Sequence, residues 1–240
     1  MPEETGHRAP GAGHREETRQ EPGCAESQSS PEPGARSSEP GLARIVVLLS
    51  GRGSNLVALA DACARGEVPA EIALVISNRP EAPGLDRARE RGIAVAAIPG
   101  KGLARGEHEH LVVAAIEAAQ VRWVCLAGYM RLLSPAFVAR FPQRIVNIHP
   151  ALLPSFPGLD AQHQAWEYGV KVSGCTVHLV DAGCDSGPVV LQRPVPVLDD
   201  DTAATLAARI LDQEHIAYPA ALRMLLTRRW RLDGRRLIFD

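Results

Sequence analysis

No C-x-x-C pair occurs in this 240-residue chain, and its five cysteines (Cys24, Cys63, Cys125, Cys175 and Cys184) are odd in number and far apart. Neither a disulfide framework nor a cysteine zinc site is therefore expected, and no metal is called for. Cys125 and Cys175 lie inside apolar runs and read as buried thiols. An excess of one charge is also missing. The formal net charge is −2, which gives no electrostatic reason for nucleic acid or an anionic membrane as a partner. No apolar run reaches the roughly 20 residues that a membrane-spanning helix needs. Residues 1–43 contain no Val, Ile, Phe, Trp or Tyr and a single Leu, at 42. A stretch crowded with Glu, Arg, Gly, Pro and Ser cannot bury enough apolar surface to offset the entropy of ordering. It is expected to be a disordered tail, with a single folded domain over 44–240. The tail lacks the apolar segment of a secretory signal, and the expected compartment is the cytoplasm.

What is present is an ordinary globular composition, 45% hydrophobic and 22% charged, ample for a buried core. The apolar run Arg44-Ile-Val-Val-Leu-Leu-Ser50 reads as a strand buried on both faces. A glycine-rich turn follows, and then Leu56, Leu59, Ala60 and Cys63 recur at helical spacing. The alternation continues with strands near 71–77, 94–98, 123–127 and 144–148, and helices near 84–91, 106–119 and 135–140. This rhythm predicts an α/β fold, a doubly wound and mostly parallel sheet. After Pro150 the pattern changes to a helix near 160–168 and two strands near 171–180 and 188–196. A long helix over about 202–226 follows, with Pro219 expected to kink it, and then a hairpin around Asp233-Gly234. The second half thus adds a mixed-sheet extension.

Three stretches carry polar residues where an α/β sheet places its ligands. Gly51-Arg-Gly53-Ser54-Asn55 joins a buried strand to a helix start, where unpaired N–H groups and the helix dipole suit a phosphate. It is neither a Walker A loop, since no Gly-Lys-Ser/Thr follows, nor a dinucleotide fingerprint, since Leu56 occupies the third glycine position. The alternative reading is a tight turn in which Ser54 or Asn55 caps the helix. Asn147-Ile-His149-Pro150 is more specific. Asn147 and His149, two apart on a strand, emerge on one face at its carboxyl end. Both need partners if they are buried. Asp185 sits in a glycine-flanked loop between two apolar strands. It is either a turn residue making its own backbone bond or a carboxylate folded back to His149, raising its pKa and setting its tautomer. Spacing leaves that choice open. Met130, Leu132 and Leu133 after Gly128 line an apolar slot or pack into the core. Gln213-Glu214-His215 reads as a solvated stretch of the long helix.

Taken together, residues 44–228 resemble the glycinamide ribonucleotide formyltransferases, folate-dependent enzymes of one-carbon transfer. The resemblance rests on Ser-Gly-Arg-Gly-Ser-Asn at 50–55, Ala-Gly-Tyr-Met-Arg-Leu-Leu-Ser-Pro at 127–135, Asn-Ile-His-Pro-Ala-Leu-Leu-Pro at 147–154, Asp-Ser-Gly-Pro at 185–188 and Gln-Glu-His at 213–215. It implies the Rossmann-like formyltransferase fold, 10-formyltetrahydrofolate as co-substrate and a phosphorylated ribonucleotide as acceptor, in purine biosynthesis. It also implies a monomer or homodimer whose partners are small molecules. By the same resemblance Asn147, His149 and Asp185 are catalytic, while Gly53, Ser54, Asn55 and Glu214 hold the ribonucleotide. Arg105, Met130, Arg131, Leu132, Leu133 and Asn147 meet the folate. The chain departs from the pattern at Asp160 and His163, which bears on the support around Asp185, and at Ala151, where a serine is common.

The chemistry needs such residues. A glycine-type amine has a pKa of about 8, so a strong base is not the first requirement. Stabilising the oxyanion and moving protons are the harder tasks, which Asn147, a charged His149 and Asp185 are expected to share. Three other kinds of protein share parts of this pattern. A 10-formyltetrahydrofolate hydrolase usually has an N-terminal regulatory domain, for which 1–43 is too short and polar. A tRNA formyltransferase adds a basic C-terminal domain. A non-catalytic nucleotide-binding module would not need the intact trio.

Overall fold

The computed structural model describes residues 41–240; the tail expected over 1–43 otherwise lies outside them. Ala43 already belongs to the first strand, β1 (Ala43–Leu49). In order follow α1 (Ser54–Ala64), β2 (Ala70–Ser77), α2 (Pro83–Arg89), β3 (Val95–Ala97), α3 (Arg105–Ala118), β4 (Trp123–Leu126), α4 (Pro135–Arg140) and β5 (Ile145–His149). The second half holds α5 (Ala161–Tyr168), β6 (Val172–Leu179), β7 (Val189–Pro196), α6 (Ala203–Thr227), β8 (Trp230–Asp233) and β9 (Arg236–Phe239).

Seven strands form one sheet in the order β3-β2-β1-β4-β5-β6-β7. The first five are parallel, whereas β6 and β7 join antiparallel, as expected of a mixed extension. β1 explains why its run is apolar throughout. Ile45, Val47 and Leu49 face the core under α1, α2 and α6, while Val46 and Leu48 face the core under α3 and α4. A strand covered on both sides has no solvent face on which a polar residue is free.

Strand order reverses between β1 and β4, the switch point at which open α/β sheets leave a crevice beyond the carboxyl ends of the strands. The backbone there is tied across the gap, with Ser50 N–H donating to the Gly128 carbonyl at 3.0 Å. Long α6 closes the sheet from one side. Its Tyr218 is fully buried, and the hydroxyl reaches the carbonyls of Leu126 at 2.9 Å and Val146 at 3.0 Å. The helix runs through Pro219 without interruption, although proline cannot supply the N–H for the preceding turn. Among the described residues no helix is long and apolar enough to cross a membrane.

Candidate active site

The glycine loop after β1 positions the start of α1. Gly53 is the N-cap in a left-handed conformation (φ 73°), with no side chain capping the helix. A Cβ on Gly53 would lie 2.7 Å from Gly84 Cα, and Gly84 N–H in turn bonds the Gly51 carbonyl at 3.0 Å. Glycine is thus required by both the backbone angle and the close approach of α2. The alternative reading, in which Ser54 or Asn55 caps the helix, does not hold. Asn55 instead turns inward, its Nδ2 donating to Glu214 Oε2 at 2.7 Å. The N–H groups of the first turn are therefore left for another acceptor.

Glu214 corrects an expectation. It is 6% exposed, not a solvated helix residue, because α6 lies against α1 at this turn. Burial raises its pKa, against the opposing pull of the Asn55 hydrogen bond and the Arg52 charge. Gly53, Ser54, Asn55 and Glu214 all line a cavity of about 650 Å³, together with Arg52, Arg79, Gly128, Met130 and Pro150.

Asn147 and His149 stand at the carboxyl end of β5 on one strand face, as their spacing predicts, and the structure brings both to the same carboxylate. His149 Nδ1 lies 3.3 Å from Asp185 Oδ2, and Asn147 Nδ2 lies 3.4 Å from Asp185 Oδ1. Asp185 is therefore the folded-back carboxylate, held also by Gly158 N–H at 2.8 Å. Burial alone would raise its pKa. The nearby His178, the Gly158 N–H and the charge of His149 outweigh that and bring it down to about 2. His149 is 3% exposed, and its Nε2–H donates to the Phe156 carbonyl at 2.7 Å. Burial lowers its pKa by more than Asp185 and that carbonyl raise it. Burial thus works against the charged His149 that the chemistry calls for, and Asp185 at 3.3 Å works for it.

Sequence reading missed His178. It lies on β6 directly opposite Asn147, with Nε2 at 3.2 Å from Asn147 Nδ2 and 3.6 Å from Asp185 Oδ1. Its Nδ1–H donates to the Leu179 carbonyl at 3.0 Å, which leaves Nε2 facing the Asn147 amide and Asp185. Both Asn147 N–H groups are engaged, and the longer bond to Asp185 is the one a reacting oxygen can replace. Only the pairing of β5 with β6 reveals this, since His178 sits in an apolar run with no motif of its own. Asp160 and His163 lie elsewhere. Asp160 is the uncapped start of α5, and His163 faces Glu167 at 3.8 Å. Support for Asp185 comes from His178 and Gly158 instead.

On the far side of Gly128 the chain presents Met130 and Leu132 outward, 54% and 66% exposed, while Leu133 packs on the core under α3. The loop is stiff at its backbone: Met130 N–H donates to Ser50 Oγ at 2.8 Å, and that hydroxyl donates to Asn78 Oδ1 at 2.5 Å. Arg131 reaches the Gly100 carbonyl at 3.2 Å. Arg105 pairs with Glu109 at 3.3 Å, and buried Glu109 accepts from Ser134 N–H at 2.8 Å and from the Ser134 hydroxyl. Arg105 and Ser134, at the end of the loop that carries Met130–Leu133, are thus joined through one carboxylate. Among the described residues no group of three or more His, Cys, Asp and Glu is placed to hold a metal ion.

Residues 43–222 match the family described as formyl transferase. The chain is 42% identical over 192 residues to phosphoribosylglycinamide formyltransferase of Escherichia coli (strain K12), covering 80% of this chain and 88% of that protein. It is 49% identical over 187 residues to the trifunctional purine biosynthetic protein adenosine-3 of Drosophila melanogaster, covering 76% of this chain but only 14% of that much longer relative. In three dimensions it resembles glycinamide ribonucleotide transformylase 1 from Symbiobacterium toebii with a TM-score of 0.82 at 46% identity, covering 87% of this chain and 99% of that one.

Proposed function

The chain belongs to the formyl transferase family, and on that premise we propose that it moves the formyl group of 10-formyltetrahydrofolate onto the amino group of N1-(5-phospho-D-ribosyl)glycinamide. The products are the N-formyl ribonucleotide and tetrahydrofolate, in a step of purine biosynthesis, with the cytoplasm as its compartment. One observation carries the reading. Asn147, His149 and Asp185 converge within hydrogen-bonding or ion-pair reach at the carboxyl edge that also holds the uncapped glycine loop. A phosphate on the first turn of α1 and a hydroxyl-bearing ribose at Glu214 would bring an attached amine to β5.

The amine attacks the formyl carbon and an oxyanion forms. Asn147 Nδ2 donates to it in exchange for its 3.4 Å bond to Asp185; losing one such donor typically costs ~10²–10³ in rate. Neutral His149 takes the proton that the amine releases, and Asp185, ionised at any pH well above 2, stabilises the imidazolium. The proton then goes to the departing folate nitrogen as its bond to the formyl carbon breaks. Met130, Leu132 and Leu133 offer the folate ring an apolar contact, with Arg131 and Arg105 at its anionic end.

A formyl-transfer assay with and without glycinamide ribonucleotide tests the reading. Tetrahydrofolate is expected only when the ribonucleotide is present. Folate consumption without it would mean hydrolysis, and no consumption at all would mean a binding module.

A further inference from the structure

The loop that carries Asp185 is held from a side that the proposed chemistry does not use. Inside the loop, Asp181 Oδ1 accepts from Gly183 N–H at 3.0 Å and from the Ser186 hydroxyl at 2.6 Å. A Cβ on Gly187 would run into the Leu179 carbonyl oxygen, so the exit of the loop is tightly packed against β6. Asp185 itself is left-handed, at φ 50°, a conformation that a non-glycine residue keeps only when its surroundings enforce it.

Outside, the loop does not rest on a packed core. A second cavity, of about 640 Å³, separates it from the β8–β9 hairpin, with Asp185, Ser186, Arg235 and Arg236 among its walls. One side chain spans the gap. The hairpin pairs Asp233 with Arg236, so its turn is Gly234-Arg235, with Gly234 at φ 58°. From that turn the Arg235 guanidinium donates to the Ser186 carbonyl, one residue from Asp185. The arm it reaches from is anchored. Trp230 Nε1–H bonds the Leu225 carbonyl at 3.1 Å, the Trp230 ring lies against Trp123 with centroids 6.5 Å apart, and Arg228 stacks over Phe239 at 4.9 Å.

We propose that Arg235 is a positioning residue: by tethering the Ser186 backbone to the hairpin, it keeps Asp185 from swinging into the cavity and holds its carboxylate on His149. This rests on the functional reading above, which makes the Asp185–His149 contact the working one. Arg236 is the internal control, since it has the same charge and lines the same cavity but makes no described bond to the loop.

The test compares Arg235→Ala, Arg235→Lys and Arg236→Ala with the wild-type chain, reading kcat, the KM for ribonucleotide, thermal midpoint and the His149 pKa by imidazole NMR. A misplaced catalytic group can cost up to ~10² in rate. Arg235→Ala is expected to lower kcat by about 10-fold while KM and thermal midpoint stay at wild-type values. Arg235→Lys should recover part of the loss, and Arg236→Ala should behave as wild type. Because Asp185 raises the His149 pKa, its withdrawal in Arg235→Ala should lower that value further, a signal that needs no turnover. If both kcat and the His149 pKa are unchanged, the tether is wrong. Equal losses in Arg235→Ala and Arg236→Ala, or losses that track a fallen thermal midpoint, also overturn it. A wild-type chain without formyl transfer, but with the NMR shift in Arg235→Ala, would sink the functional reading and leave the tether standing.

Discussion

At His149 two opposing effects meet. Burial favours the neutral ring and Asp185 favours the cation, and burial is the larger effect. Replacing the ring removes both the proton acceptor and the proton donor, so His149→Ala is expected to lower kcat by about 10²–10⁴. Ribonucleotide affinity, measured by titration calorimetry, should stay near wild type because the glycine loop and Glu214 are untouched. The pH profile follows from the same balance. A lowered folded-state pKa keeps His149 neutral further into acid, so kcat/KM, corrected for the unprotonated fraction of the acceptor amine (pKa about 8), should hold from pH 7 downward and fall only as pH passes below 6.5. Asp185, at about 2, adds no limb in that range. An acid limb centred above 6.5 would show that Asp185, not burial, dominates. Asp185→Asn should move the limb to still lower pH, since the raising effect of the carboxylate is gone.

Elements carry these residues to one edge. β5 presents Asn147 and His149 together because strand side chains alternate, and its antiparallel neighbour β6 adds His178 opposite Asn147. α6 serves twice. It brings Glu214 to Asn55 at 2.7 Å, and one turn further on it locks against β4 and β5 through the Tyr218 hydroxyl. Tyr218→Phe leaves those carbonyls without that donor and is expected to cost about 1–2 kcal/mol of stability. Urea denaturation should show the loss, while kcat at 25 °C stays within two-fold. A much larger fall in kcat would mean that the hydroxyl also sets the spacing of β4 and β5 at the site.

For the molecule as a whole, the described fold is built from Ala43 onward, with Ala43 N–H bonded to the Pro69 carbonyl at 3.0 Å. A chain beginning at residue 41 keeps that bond and is expected to turn over at the wild-type rate; a large drop would give residues 1–40 a role that their composition does not suggest. Much of this architecture is legible in the sequence for a physical reason. Runs such as Ile45–Leu49 and the helical recurrence of Leu56 and Leu59 report burial locally, and the Asn147–His149 pair follows from the period of a strand. Contacts between distant segments are different, since no local pattern encodes them. Asp185 could be a turn residue until the loop was seen against His149. Glu214 looked solvated because only the packing of α6 on α1 buries it, and the charge on His149 depended on a depth that spacing does not report. His178 and Arg235 carry no motif at all. By itself the sequence determined the elements, their order and the pair on β5. The tertiary structure decided which carboxylate meets that pair, which ring stands behind it and how far from water they lie, because those depend on free energies of burial and pairing between residues that are neighbours only once the sheet has closed.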